Sequence, residues 1–134
     1  MEKMTDMRST TIIYSGYWNF GLALLFIYPP LYRMGLNLSQ PVWGWLLSGF
    51  LLFTSAVLII GGRDMGRYGS IIVHEAFLRF IAAAVLIPAA LFYDYGWLAL
   101  FGGCTDALWG IAYLRIVPGQ TGRSLADLIL DRGR

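Results

Sequence analysis

Four long apolar stretches dominate this chain, and the segments between them are short, rich in Gly, Pro and charge. They cover about 14–32, 42–61, 70–92 and 97–116. Each is close to the roughly 20 apolar residues that carry a helix across a bilayer. The pattern predicts an all-α integral membrane four-helix bundle built as one domain. Before the first span, residues 1–13 read as a polar lead-in that frays at its start. Pro29 and Pro30 kink or end the last turn of that span, because each removes a backbone donor and crowds the turn before it. The Gly-rich stretch 61–69 reads as a tight basic turn, 93–96 as a second turn, and Pro118 with Gly119 as the stop of the fourth span.

After the fourth span, Ser124 and Asp127 stand at the spacing of a capping box, ahead of Leu125, Leu128 and Ile129. That predicts a short amphipathic helix over about 124–132, lying on the cytoplasmic membrane surface.

Composition sharpens the membrane reading. Apolar residues make up 57% of the 134 and charged residues only 13%, about half the share usual in soluble domains. Trp, Tyr and Phe reach 16%, and many sit at the predicted span ends, such as Trp43, Trp45 and Trp97. Charge then sets orientation. Lys3, Arg8, Arg63, Arg67, Arg115, Arg123, Arg132 and Arg134 fall in the two terminal segments and the 61–69 turn. The opposite two loops hold only Arg33. The excess of basic residues on one side places both termini in the cytoplasm, which requires an even number of spans and agrees with four. The expected location is therefore an inner or plasma membrane, multi-pass. The acidic, uncleavable start argues against an export signal. Basic residues do not cluster with aromatics on a polar face, so nucleic-acid binding has no support.

The chemistry lies inside the third and fourth spans. The stretch Tyr68–Tyr95 carries His74, Glu75 and Arg79 within its apolar run, and the fourth span carries Asp106. Ionisable groups at such depths are costly and mark either a functional site or an internal lock. At about 1.5 Å rise per residue, Arg79 lies roughly 13 Å in from Ser70. Asp106 lies roughly as far in from Arg115. The two reach one level from opposite directions on neighbouring helices, so an Arg79–Asp106 ion pair is expected. Glu75, one turn before Arg79, shares its face. Asn19, Thr54 and Ser55 fall in the same half, and Gly102, Asp106, Trp109 and Tyr113 form one stripe, with Trp109 and Tyr113 flanking the cytoplasmic mouth of the charged site.

His74 sits about 100° around the helix from Glu75. The HEAFLR run only superficially resembles a HExxH zinc motif, since Leu78 stands where the second His belongs. With one His and one Cys (Cys104) in the chain, a zinc site lacks ligands. His74 as a lone axial haem ligand is formally open but unsupported. No metal or nucleotide motif is present and the cofactor is unknown.

Three functions compete. In the first, a lipophilic or amphiphilic small molecule binds between the helices, its head meeting Glu75, Arg79 and Asp106, with Trp109, Tyr113, Asn19 and His74 as further ligand-binding candidates. Its apolar part then lies against Trp109 and Ala82, Ala83 and Ala84. In the second, Glu75 and Asp106 are the acid and base of an intramembrane enzyme acting on a lipid-like substrate. In the third, the charges are a structural lock in an accessory or assembly subunit of a larger membrane complex. Expected partners are membrane lipids, a lipophilic ligand, and a membrane-protein partner or second copy. Four spans leave little room for an alternating-access transporter.

Overall fold

The computed structural model describes residues 2–132, with side chains described for residues 8–132. The side chain of Lys3 and the whole of Arg134, both counted in the orientation argument, lie outside the described residues. All described elements are helical: α1 (Glu2–Ile27), α2 (Pro29–Tyr32), α3 (Pro41–Arg63), α4 (Met65–Phe92), α5 (Trp97–Thr121) and α6 (Leu125–Ile129). Four segments are long and apolar enough to cross a membrane: Arg8–Ile27, Pro41–Arg63, Met65–Phe92 and Trp97–Thr121.

Several boundaries differ from the sequence expectation, each for a local reason. The lead-in is helical, so the first long segment starts near Arg8 and ends at Ile27. Tyr28, restricted by the proline that follows, is extended (φ −106°, ψ 102°). Pro29 and Pro30 then occupy the first turn of α2, where a missing N–H costs nothing. That turn reverses the chain and buries Tyr32 beside Phe26.

The 61–69 segment is not a loop. Only Asp64 breaks the helix, and its carboxylate accepts from the N–H of Arg67 at 3.1 Å to cap α4. Gly61, Gly62 and Gly69 pack instead of turning: a Cβ on Gly62 would stand 2.7 Å from Ile13 Cγ1, and one on Gly69 would press on Thr121, Val117 and Leu128. Likewise α5 runs through Pro118 to Thr121 and ends at Gly122, whose φ of 65° suits a residue without Cβ.

Helix α1 packs along α3 and α4 along α5, and the two pairs meet less extensively through α3–α4 and α1–α5. The buried stripe of α1 is Ile12, Ser15, Asn19, Ala23 and Phe26, spacings of three and four that keep one face inward. Small residues let the pairs close. A Cβ on Gly16 would lie 3.0 Å from the carbonyl oxygen of Ser55, and one on Gly103 2.7 Å from Ile87 Cγ1. Ser48 Oγ donates across the first pair to Ala23 O at 2.8 Å. At the loop end of the molecule, segments 33–40 and 93–98 interlock: Asn37 N donates to Tyr95 O at 3.0 Å and Leu98 N to Gly35 O at 2.8 Å.

Ser124 caps α6, its Oγ accepting from Asp127 N at 3.1 Å and donating to the Asp127 carboxylate at 2.6 Å. The helix it starts does more than coat a surface. Leu128 is fully buried among Val73, Tyr113 and Val117, and Ser70 Oγ donates to Leu128 O at 2.6 Å. Leu125 and Ile129 stay exposed, so α6 plugs the terminal end of the helices with one side chain.

Candidate functional site

Arg79 is the hub. It sits on the inward face of α4 and is 4% exposed. Its Nη1 donates to Asp106 Oδ1 of α5 at 2.6 Å, and its Nη2 donates to Asn19 Oδ1 of α1 at 3.1 Å. Asn19 passes the connection on, its Nδ2 donating to Thr54 Oγ1 of α3 at 2.8 Å. Thr54 in turn donates to Leu51 O at 3.2 Å. One guanidinium thus gathers polar groups from all four long helices, which its planar fork of donors allows.

Glu75 completes the charge set less tightly. Its Oε1 lies 3.7 Å from Arg79 Nε, close enough for an ion pair and too far for a hydrogen bond, and that Nε has no hydrogen-bond partner. Below the guanidinium lies the ring of Tyr113, 5.2 Å from Arg79 Cζ to its centroid, a cation–π distance. The Tyr113 hydroxyl donates to Ser15 Oγ at 2.5 Å, and Ser15 to Ile12 O at 2.6 Å. Trp109 packs at a tilt beside Tyr113, with ring centroids 6.1 Å apart.

The structure brings Glu75, Arg79, Asp106, Asn19 and Tyr113 together and changes the role of several. Tyr113 is fully buried, so it forms a floor under the guanidinium and not a flank of an opening. Trp109, half-buried, packs against the core beside it. His74 does not join the hydrogen bonds around Arg79: its Nδ1 donates to Ser70 O at 2.8 Å, and with Phe53, Val57, Ile71 and Glu75 it borders an open groove on the outside of α3 and α4.

Next to Asp106 the helices leave a cavity of about 340 Å³. It lies between the two helix pairs, where α1 and α5 touch least. Leu22, Leu25, Leu47, Leu51, Leu86 and Leu98 form most of its walls, with Trp97 toward the loop end. Asn19, Thr105 and Asp106 supply its polar end. Trp18 and Phe101 also border it, both partly exposed, with ring centroids 6.3 Å apart across the α1–α5 seam. Trp109, Ala82, Ala83 and Ala84, expected to hold an apolar tail, do not line it. The leucine walls were missed in the sequence because leucines facing a cavity and leucines facing outward repeat identically along a helix. Glu75 does not line this cavity either; it borders the outer groove beside His74. The two carboxylates therefore open onto different spaces, with Arg79 between them.

No protein-family model, curated protein or solved structure matches the chain.

Proposed function

We propose that this chain is a multi-pass membrane protein, a bundle of four spanning helices with both termini on the cytoplasmic side, that holds a lipophilic or amphiphilic small molecule between its two helix pairs. One observation carries the reading: an apolar cavity of about 340 Å³ that ends on Asp106, a carboxylate already ion-paired with Arg79. Apolar walls with a few convergent polar groups are the usual make-up of a small-molecule site, and this volume falls at the small end of the usual range. The Asp106 side chain is 24% exposed while that of Arg79 is 5% exposed, so the acid is the group offered to an occupant. The orientation rests on the basic residues, which flank the helix ends near Arg8, Arg63, Arg67 and Arg115.

Native mass spectrometry of protein purified in mild detergent, with solvent extraction of whatever it carries, tests the proposal. A small lipophile bound one per chain, and lost when Gly102→Leu fills the cavity, is the expected result. A chain that carries only bulk phospholipid, unchanged by that substitution, removes the proposal.

A second reading has its own support. Arg79 turns every bonded donor toward another helix, which is what a register-fixing lock requires. Lock and ligand site are compatible here, because Asp106 serves Arg79 with one oxygen while its side chain still reaches the cavity. The enzyme reading loses ground, since an acid and base acting on one substrate need a shared space and Glu75 borders a different one.

A further inference from the structure

The polar end of the cavity offers mainly acceptors. Asp106 is a carboxylate and donates nothing while ionised. The hydroxyl of Thr105 directs its hydrogen to the carbonyls of Phe101 and Gly102, both at 2.9 Å, which leaves oxygen lone pairs toward any neighbour. Asn19 has its carbonyl accepting from Arg79 and one amide hydrogen committed to Thr54, which leaves its second amide hydrogen as a neutral donor that a hydroxyl oxygen can accept. Arg79, the cation paired with Asp106, does not line the cavity.

Charge narrows the occupant further. Arg79 is matched against Asp106 and Glu75, so the cluster sums to zero or −1, depending on whether Glu75 holds a proton. Neither sum favours an anionic head. An ammonium head gains little from a carboxylate that Arg79 already neutralises, and it must leave water to reach an apolar cavity. A neutral hydroxyl satisfies the acceptors at far smaller desolvation cost. Geometry gives the orientation. Asp106 and Trp97 line the same cavity nine positions apart on α5, roughly 13 Å along the axis at helical rise. The head therefore sits at Asp106 and the tail runs toward Trp97.

We infer that the occupant is a lipophilic alcohol, a single apolar chain ending in a neutral hydroxyl that donates to Asp106, and that lipids with anionic heads are excluded. This deepens the proposed function and rests on its cavity.

Intrinsic tryptophan fluorescence reads the inference directly, because Trp97 and Trp18 border the cavity and bromine quenches indole emission. The purified protein in detergent is titrated with ω-bromo-undecanol, its methyl ether, ω-bromo-undecylamine and ω-bromo-undecanoate. The alcohol is expected to quench saturably, with the ether at least about tenfold weaker, the scale of one hydrogen bond to a charged acceptor. The amine and carboxylate are expected to be weaker than the alcohol. Gly102→Leu, whose Cβ meets only Leu86 at 3.7 Å, should abolish the quenching without disturbing the helices. Four probes binding alike, all blocked by Gly102→Leu, would leave the cavity as a lipophile site and overturn the choice of head group. A carboxylate or amine that binds more tightly than the alcohol overturns it too. Quenching by none of the four, or quenching indifferent to Gly102→Leu, removes the cavity reading itself.

Discussion

Arg79 Nη2 donates to Asn19 Oδ1 across 60 positions of sequence, joining the two helix pairs at their least-packed seam. A neutral amide is well suited there. It accepts from the guanidinium on one side and donates to Thr54 on the other, so it links α4 to α3 through α1 without adding a charge. A carboxylate in its place would give Arg79 a third acid, and an apolar residue would leave Nη2 unsatisfied in a buried position.

That chain of bonds predicts a specific pattern of coupling. Asn19→Ala is expected to lower stability by about 1–3 kcal/mol, the cost of leaving a buried donor without a partner. Thr54→Val should cost about 1 kcal/mol, because it removes one acceptor and keeps the shape. Once Asn19 is gone, Thr54 has no inter-helix bond left to lose. The double variant should therefore fall short of the sum by roughly 0.5 kcal/mol or more. Thermal or denaturant unfolding in one detergent, run as a double-mutant cycle, measures the shortfall, and strict additivity would show that the bridge carries no energy.

The ion pair predicts an asymmetry between its partners. Arg79→Met leaves Asp106 buried beside no cation and should cost about 3–5 kcal/mol. Asp106→Asn keeps an oxygen for Nη1 to reach, and its side chain is the more exposed of the two, so its cost should be smaller. Combining Arg79→Met with Asp106→Leu removes the stranded charge, and that double variant should be more stable than Arg79→Met alone. Arg79→Lys should behave as a poor substitute, since a single ammonium cannot serve Asp106 and Asn19 with a planar fork. Unfolding midpoints across the four variants check the order; a double variant no better than Arg79→Met would mean that packing, not charge, sets the loss.

Two glycines of α1 separate close approach from mere flexibility. A Cβ on Gly16 would stand 2.7 Å from Ile59 Cγ1 and 3.0 Å from the Ser55 carbonyl oxygen, whereas one on Gly21 meets nothing within 4 Å. Gly16→Ala should therefore push α1 off α3 and destabilise by about 1–3 kcal/mol. Gly21→Ala should be neutral or stabilise by about 0.5–1 kcal/mol, because it lowers the backbone entropy of the unfolded chain. Opposite signs in paired unfolding measurements are the expected outcome, and equal effects would contradict the packing described.

Much of this site is legible in the sequence, and the residues show why. Helix rise fixes depth, so Arg79 and Asp106, counted in from the same end on consecutive antiparallel helices, had to reach one level; the 2.6 Å contact follows from that count. Asn19 and Thr54 fell to the same arithmetic. Depth says nothing about rotation between helices, and that is where Tyr113 and Trp109 went astray, as floor and a ring packed beside it instead of flanks. Glycine misled for a different reason. Gly61, Gly62 and Gly69 carry the composition of a turn, but a missing Cβ serves close packing as readily as a sharp bend, and only the neighbours Ile13, Ile72 and Val117 decide between them. Pro118 misled similarly: a proline removes one donor, and α5 continues for another turn to the glycine that stops it.

The last helix offers the sharpest contrast between surface and plug. If α6 merely coated a membrane face, Leu125, Leu128 and Ile129 would contribute alike. In the structure Leu128 is fully buried beneath Gly69 and Val117, while Leu125 and Ile129 are each 37% exposed. Leu128→Ala should therefore cost about 2–5 kcal/mol, the range for emptying a fully buried leucine site. Leu125→Ala and Ile129→Ala should each cost well under half of that. Ser70→Ala should add a smaller loss of about 1 kcal/mol by removing the donor to Leu128 O. Its effect should shrink in the Leu128→Ala background, because a helix no longer seated has less to gain from the bond. Unfolding midpoints for the single variants and that double variant check the order, and three equal leucine and isoleucine effects would return α6 to the surface.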